Sequence, residues 1–222
     1  MRDRPPLTAR LWYDAAYWSS FTAFTFGFSF RRAGWANMPR RGPVLVVSNH
    51  QSVIDPLIVG LGCRRYLSFL ARSTLFKVPG FGRLIHSLGA VPIDRSMGKD
   101  GIQNVLDALG AGRAVLMFPE GERTHTGEVQ PLKPGVSLLI KRVTCPIVPV
   151  GLAGCFDAWS RFRRLPTLAP LVSEPLPGTV AVSVGAPIEP SRYAGKPRDW
   201  VVADVHRELV VQHAAAEQLR RK

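Results

Sequence analysis

An imidazole and a carboxylate five residues apart, His50 and Asp55, follow an apolar run in the segment 44–56, VLVVSNHQSVIDP. Asp55 precedes Pro56, which reads as a helix N-cap and first helical residue. The pair therefore falls on a strand-to-helix connection, where a tight loop can fold Asp55 back onto His50. Such a pair suits general base catalysis: neutral imidazole accepts a proton while a carboxylate fixes its tautomer and steadies the imidazolium. The plainer alternative is that Asp55 only caps the helix and His50 bonds a loop carbonyl. A second segment, 115–124, VLMFPEGERT, ends an apolar run in Glu120 and Gly121, followed by Arg123. Gly121 allows backbone to approach a ligand, and Arg123 can fork onto a phosphate. A third, GAVPIDR, ends in Arg95, and Arg72 and Lys77 lie upstream in LARSTLFKVPGFG. Cations converging with His50 beyond the carboxyl ends of strands suit a phosphate-bearing substrate.

The elements that must position these residues are legible from pattern. Short apolar runs at 44–48, 66–71, 90–93, 114–118, 146–151 and 179–185 read as strands covered on both faces. Helical spacing is clearest over 99–109, where Ile102, Val105, Leu106 and Leu109 share a face, and a last helix starts near Arg198. The alternation predicts an α/β fold, a mostly parallel central sheet flanked by helices. The Pro-rich stretch 165–178 reads as a surface excursion. Upstream, no charged residue occurs between Asp14 and Arg31, and Trp12, Tyr13, Tyr17, Trp18, Phe21, Phe24, Phe26, Phe28 and Phe30 crowd the segment. The spacing predicts a helix over 7–23, then a strand through about Arg32. That helix is shorter than the roughly 20 apolar residues a span requires. Its Trp and Tyr beside Arg2, Arg4 and Arg10 suit an aromatic amphipathic helix contacting a membrane at headgroup level; the plainer alternative is a soluble helix packed by its aromatics against the core. The chain thus divides into a membrane-associated helix, 1–25, and a catalytic-looking domain, 26–222.

The 222 residues carry a net charge of +13, with 23 Arg against 6 Lys, which points to phosphorylated or anionic partners. Nucleic acid is disfavoured because the arginines are spread along the chain and no nucleic-acid motif appears. Three cysteines without a CxxC pair fit a reducing compartment, and no His pair has metal-ligand spacing, so no metal is expected. The aromatic segment lacks the leucine-rich core and cleavage site of a secretory leader. No G-x-S-x-G elbow supports a serine hydrolase.

In order and spacing these segments resemble the glycerolipid acyltransferase family, of the 1-acylglycerol-3-phosphate acyltransferase type. Asn49, His50, Ser52 and Asp55 match its Asn-His-x-Ser-x-x-Asp motif, and Ile93 with Arg95 its Ile-x-Arg motif. Phe118 through Gly121 with Arg123 match Phe-Pro-Glu-Gly-x-Arg, and Ile147-Val148-Pro149-Val150 the apolar strand with a central Pro. The likeness covers roughly residues 26–190. Glu122 stands where relatives usually carry Thr, Pro92 where Phe is common, and Arg72 where a Lys is usual. The resemblance implies direct acyl transfer from acyl-CoA or acyl carrier protein to the sn-2 hydroxyl of 1-acylglycerol-3-phosphate, giving phosphatidic acid without a cofactor. Other acceptors in view are another lysophospholipid, glycerol-3-phosphate or a lyso-amino-acid lipid. It implies His50 and Asp55 as catalytic, with Arg95, Glu120, Gly121, Arg123, Arg72, Lys77, Asn49 and Ser52 around the substrate. The expected setting is the cytoplasmic face of an inner membrane, on an anionic phospholipid surface.

Overall fold

Successive side chains of a strand point to opposite faces, so a continuous apolar run needs cover on both sides. The computed structural model, which describes residues 7–87, 89–93, 99–171 and 177–222, shows that cover. Seven strands form one sheet: β1 (Arg31–Ala33), β2 (Val44–Ser48), β3 (Ser68–Arg72), β4 (Ala90–Ile93), β5 (Ala114–Met117), β6 (Ile147–Ala153) and β7 (Ala181–Val184). Their order across the sheet is β1-β7-β6-β2-β5-β3-β4. Strands β2 to β6 run parallel, whereas β7 is antiparallel to β6 and β1 follows β7.

The two faces bury separate cores. Val44, Val46, Ala114 and Leu116 face α2 (Asp55–Cys63) and the aromatic side of α1 (Leu7–Phe28). Leu45, Val47, Val115 and Met117 face α4 (Lys99–Gly110), α5 (Val136–Ile140) and α7 (Arg198–Arg220). Two short helices, α3 (Phe81–Ser87) and α6 (Cys155–Trp159), complete the set. Helix α7 lies so close on β6 that a Cβ at Gly151 would stand 2.0 Å from the Gln212 carbonyl carbon.

The strand positions expected from the apolar runs are occupied, with ends moved by one or two residues. The N-terminal expectation needs correction. Phe24, Phe26, Phe28 and Phe30 alternate as in a strand, but the helix continues to Phe28. Phe24 and Phe28, four apart, stack at 5.1 Å on the core side while Phe26 is 63% exposed, so helical packing satisfies the same residues. Ser29 then takes left-handed backbone (φ 44°), Phe30 N–H returns to Phe24 O at 3.2 Å, and the strand begins only at Arg31. The helix has 22 residues instead of the shorter span expected, yet among the described residues no helix is long and apolar enough to cross a membrane. Tyr17, Phe21, Phe24 and Phe28 seat it against the core of the remaining chain. Of the Pro-rich excursion, residues 172–176 lie outside the described set.

Candidate active site

Because β2 to β6 are parallel, the residues that follow Ser48, Arg72, Met117 and Ala153 emerge at one edge of the sheet. Strand β5 sits beside β2, so the loops after these two strands meet. His50 is held there through its backbone. Its N–H donates to Glu120 Oε1 at 2.9 Å, and its carbonyl accepts Thr124 N–H at 2.7 Å.

Helix α2 begins at Asp55 with Ile54 as its cap, one residue earlier than the expected start at Pro56. The carboxylate turns back instead of capping the helix. Its Oδ2 accepts the N–H groups of Gln51 at 2.5 Å and Ser52 at 2.7 Å, and lies 2.7 Å from His50 Nδ1. The two backbone donors make this oxygen an acceptor, so Nδ1 carries the proton and Nε2 keeps its lone pair. The imidazole also stacks on Phe118, with ring centroids 4.0 Å apart and planes 13° apart. The His50 side chain is 19% exposed over a carboxylate at 0%, which leaves the ring open to a reactant. Base orientation and loop closure are thus served by one carboxylate, and the plainer reading, in which Asp55 only caps the helix and His50 bonds a loop carbonyl, does not hold.

Asn49 and Ser52 are buried and face inward. Asn49 Nδ2 donates to Leu152 O at 3.0 Å and its Oδ1 accepts Leu152 N–H at 2.7 Å, so the side chain extends the β2–β6 pairing like a peptide group. Ser52 Oγ donates to Trp159 O at 2.5 Å. Gln51 is a loop tether that motif reading missed: its Nε2 donates to Gly127 O at 2.6 Å, and its Oε1 accepts Cys155 N–H at 3.0 Å at the start of α6. Thr124, also missed, accepts the N–H groups of Thr126 and Gly127 on its hydroxyl, each at 3.2 Å. Hydrogen-bonding capacity at a motif's variable position was the only signal for Gln51.

Glu120 is buried, and its Oε2 has no hydrogen-bond partner among the described residues. Burial pushes its carboxyl up to about 8, against the pull of the His50 and Gln130 backbone groups, and the Asp55 charge adds to the rise. Next to it Gly121 has left-handed backbone (φ 79°), and a Cβ there would stand 3.0 Å from the Lys133 side chain. Lys133 is anchored beneath the turn by its N–H to Pro119 O at 2.8 Å. Arg123 is half-buried on the same loop. Its carbonyl accepts Arg161 at 3.3 Å, and Arg161 also reaches the exposed Glu122 carboxylate at 3.4 Å. Arg161 lowers the Glu122 pKa. No sequence pattern pointed to Arg161, which follows α6 after the carboxyl end of β6.

Arg72 ends β3 with its backbone in register with Ile93, and its side chain lies outside the described set. Lys77 closes the 3-10 turn Ser73–Lys77 after β3 and is exposed. Arg95 falls outside the described residues. Among the described residues no group of three His, Cys, Asp or Glu side chains is placed to hold a metal ion.

A doubly covered, mainly parallel sheet with this His–Asp loop defines an acyltransferase domain: the Acyltransferase family model matches residues 30–153, and the chain belongs to that family. Among its relatives is the chloroplastic 1-acyl-sn-glycerol-3-phosphate acyltransferase BAT2 of Brassica napus, 28% identical over 146 residues, which are 64% of this chain and 42% of that protein. Another is the 1-acyl-sn-glycerol-3-phosphate acyltransferase of Pseudomonas aeruginosa, 27% identical over 192 residues, 81% of this chain and 68% of that one. The chain therefore spans less than half the length of the plant relative. The crystal structure of the 1-acyl-sn-glycerophosphate acyltransferase of Thermotoga maritima superposes with a TM-score of 0.73 at 23% identity, over 93% of this chain and 77% of that one, and so shares the fold.

Proposed function

We propose that this chain transfers an acyl group from a thioester to the sn-2 hydroxyl of 1-acylglycerol-3-phosphate, giving phosphatidic acid. The observation that carries the reading is the His50 Nδ1–Asp55 Oδ2 contact of 2.7 Å, which leaves Nε2 free as base on a partly exposed ring. Nε2 takes the hydroxyl proton as the oxygen attacks the thioester carbonyl. The tetrahedral oxyanion collapses, the C–S bond breaks, and the imidazolium returns its proton to the leaving thiolate. No covalent enzyme intermediate and no cofactor take part. The donor is acyl-CoA or acyl carrier protein, whose thioesters present the same carbonyl.

Arg123 holds the acceptor phosphate, with Arg72 at the end of β3, Lys77 in the turn after it, and Arg95, which the motif implies, as further cations. Glu120 and Gly121 shape the turn that meets the glycerol moiety. Asn49 and Ser52 act by fixing the loop, since their side chains are spent on Leu152 and Trp159. Helix α1 lays Leu11, Trp12, Trp18 and Phe26, each more than half exposed, against an anionic bilayer on its cytoplasmic face. The names of the relatives support the acceptor. A different lysophospholipid is the second reading, favoured by Glu122, whose carboxylate stands beside Arg123 where the resemblance expects Thr.

The test is an acyl-transfer assay on purified protein with oleoyl-CoA or oleoyl carrier protein and three acceptors: lysophosphatidic acid, glycerol-3-phosphate and lysophosphatidylcholine. Phosphatidic acid formed from lysophosphatidic acid, and lost in His50→Ala, is the expected result. Product from another acceptor alone moves the substrate and keeps the chemistry. No product from any pair overturns the reading.

A further inference from the structure

We propose a second anion site, for the phosphate of an anionic bilayer phospholipid, at the edge of the sheet opposite His50. A cavity of about 590 Å³ opens there between α1 and the amino ends of β2, β3 and β5. Among the described residues four guanidinium groups line it, those of Arg40, Arg64, Arg65 and Arg113, against one acid, Asp14. Arg64 and Arg65 follow α2, Arg40 precedes β2 and Arg113 precedes β5, so strand order alone gathers them.

Two of these cations have structural tasks. Arg65 donates to Pro39 O and Gly42 O, bracing the loop before β2. Arg64 lies over the Trp35 ring, 4.7 Å from its centroid. Arg40 and Arg113 are exposed, and their guanidinium groups make no hydrogen bond or ion pair among the described residues. Free guanidinium forks above a recess suit a phosphodiester, which can accept bidentate bonds.

The neighbouring surface fixes the source of that phosphate. Tyr13 and Trp18 of α1 form one wall of the cavity. Along the outward side of the same helix, Leu11, Trp12, Trp18 and Phe26 are 59%, 51%, 56% and 63% exposed, and from Leu11 to Phe28 Asp14 is the one charged residue. A soluble metabolite or a nucleic acid gains nothing from this apolar stripe. A bilayer matches both parts at once: indoles at the headgroup level beside arginines that reach the phosphates. The site rests on α1 lying against a bilayer and is independent of the acyl-transfer reaction.

Flotation of the full chain with phosphatidylcholine vesicles, with and without phosphatidylglycerol, tests this in the absence of any substrate. Arg40→Gln with Arg113→Gln is compared with Lys141→Gln plus Arg142→Gln, which removes equal charge near the far end of α5. Each arginine at an anionic surface accounts for roughly a fivefold change in binding, so the first pair is expected to lose about 30-fold. The control pair is expected to lose about threefold or less. Both variants should keep acyl transfer to lysophosphatidic acid dispersed in detergent micelles, which separates failure of this site from failure of the catalytic reading. Unchanged vesicle binding in the first pair, or equal losses in both, overturns the proposal. A readout on the otherwise native chain supports it independently of folding in those variants: brominated phosphatidylglycerol should quench a fluorescence component that Trp18→Phe lacks. Absence of that component also overturns the site.

Discussion

The Asp55 carboxylate does two jobs with one oxygen, since Oδ2 accepts Gln51 and Ser52 N–H and orients His50. Removing the base and removing its orienter should therefore differ. His50→Ala is expected to lower kcat by ~10²–10⁴-fold with a small loss in melting temperature, because the backbone contacts of residue 50 with Glu120 and Thr124 remain and only the ring's stack on Phe118 and its bond to Asp55 are removed. Asp55→Asn is expected to lower both kcat and the melting temperature, because an amide cannot satisfy two backbone donors and the imidazole N–H alike. Steady-state kinetics and calorimetry on the two variants separate these outcomes. Glu120 supplies a pH signature. Its carboxyl titrates near 4.5 when free and at about 8 in the fold. Between those values the folded form retains a proton that the unfolded form has released, so stability falls as pH rises through this window and levels off above it. Glu120→Gln should flatten that fall in melts recorded across the window. An undiminished slope would assign it to another group.

At the scale of elements, α1 and α7 are fixed by close approach rather than by their own sequence. Phe24 is buried at 8% exposure and Phe26 is 63% exposed, two residues along the same helix. Phe24→Ala is expected to cost ~3–5 kcal/mol in urea unfolding, whereas Phe26→Ala changes stability little. Equal costs would restore the strand-like reading of this segment. Gly151→Ala forces a methyl into the Gln212 backbone of α7 and is expected to cost at least ~1–3 kcal/mol. The melting temperature should drop by several degrees while the His50–Asp55 loop, carried by β2 and α2, stays in place.

For the whole molecule the charge of +13 has a geometry. One group of cations, Lys77 and Arg123 among them, follows strands at the carboxyl edge of the sheet. Another, around Arg40 and Arg113, occupies the amino edge next to the exposed face of α1. Binding to anionic vesicles should weaken steeply as salt rises, since exposed charges lose reach once the Debye length falls to about 8 Å at physiological ionic strength. Replacing Arg123 by Ala should raise the apparent KM for lysophosphatidic acid more than that for the acyl donor, in assays varying each substrate separately. Equal rises would make Arg123 a support of the loop.

Sequence alone determined the strands and the chemistry-bearing types. Val44–Ser48, Ala114–Met117 and Ile147–Ala153 are apolar runs whose burial follows from composition over a few residues, and a His, an Asp and a Glu-Gly turn beside them can be read locally. The tertiary structure decided which of those runs are neighbours. Only the placement of β2 between β5 and β6 brings Glu120 and Thr124 onto the backbone of His50, and turns Asn49 away toward Leu152. It also decided between helix and strand for Phe24 to Phe28, where both periodicities fit the same letters and the core they pack against favours one. Periodicity reports which side chains avoid water. Partners 70 or more residues away, such as Glu120 for His50, are chosen by the packing of the whole sheet.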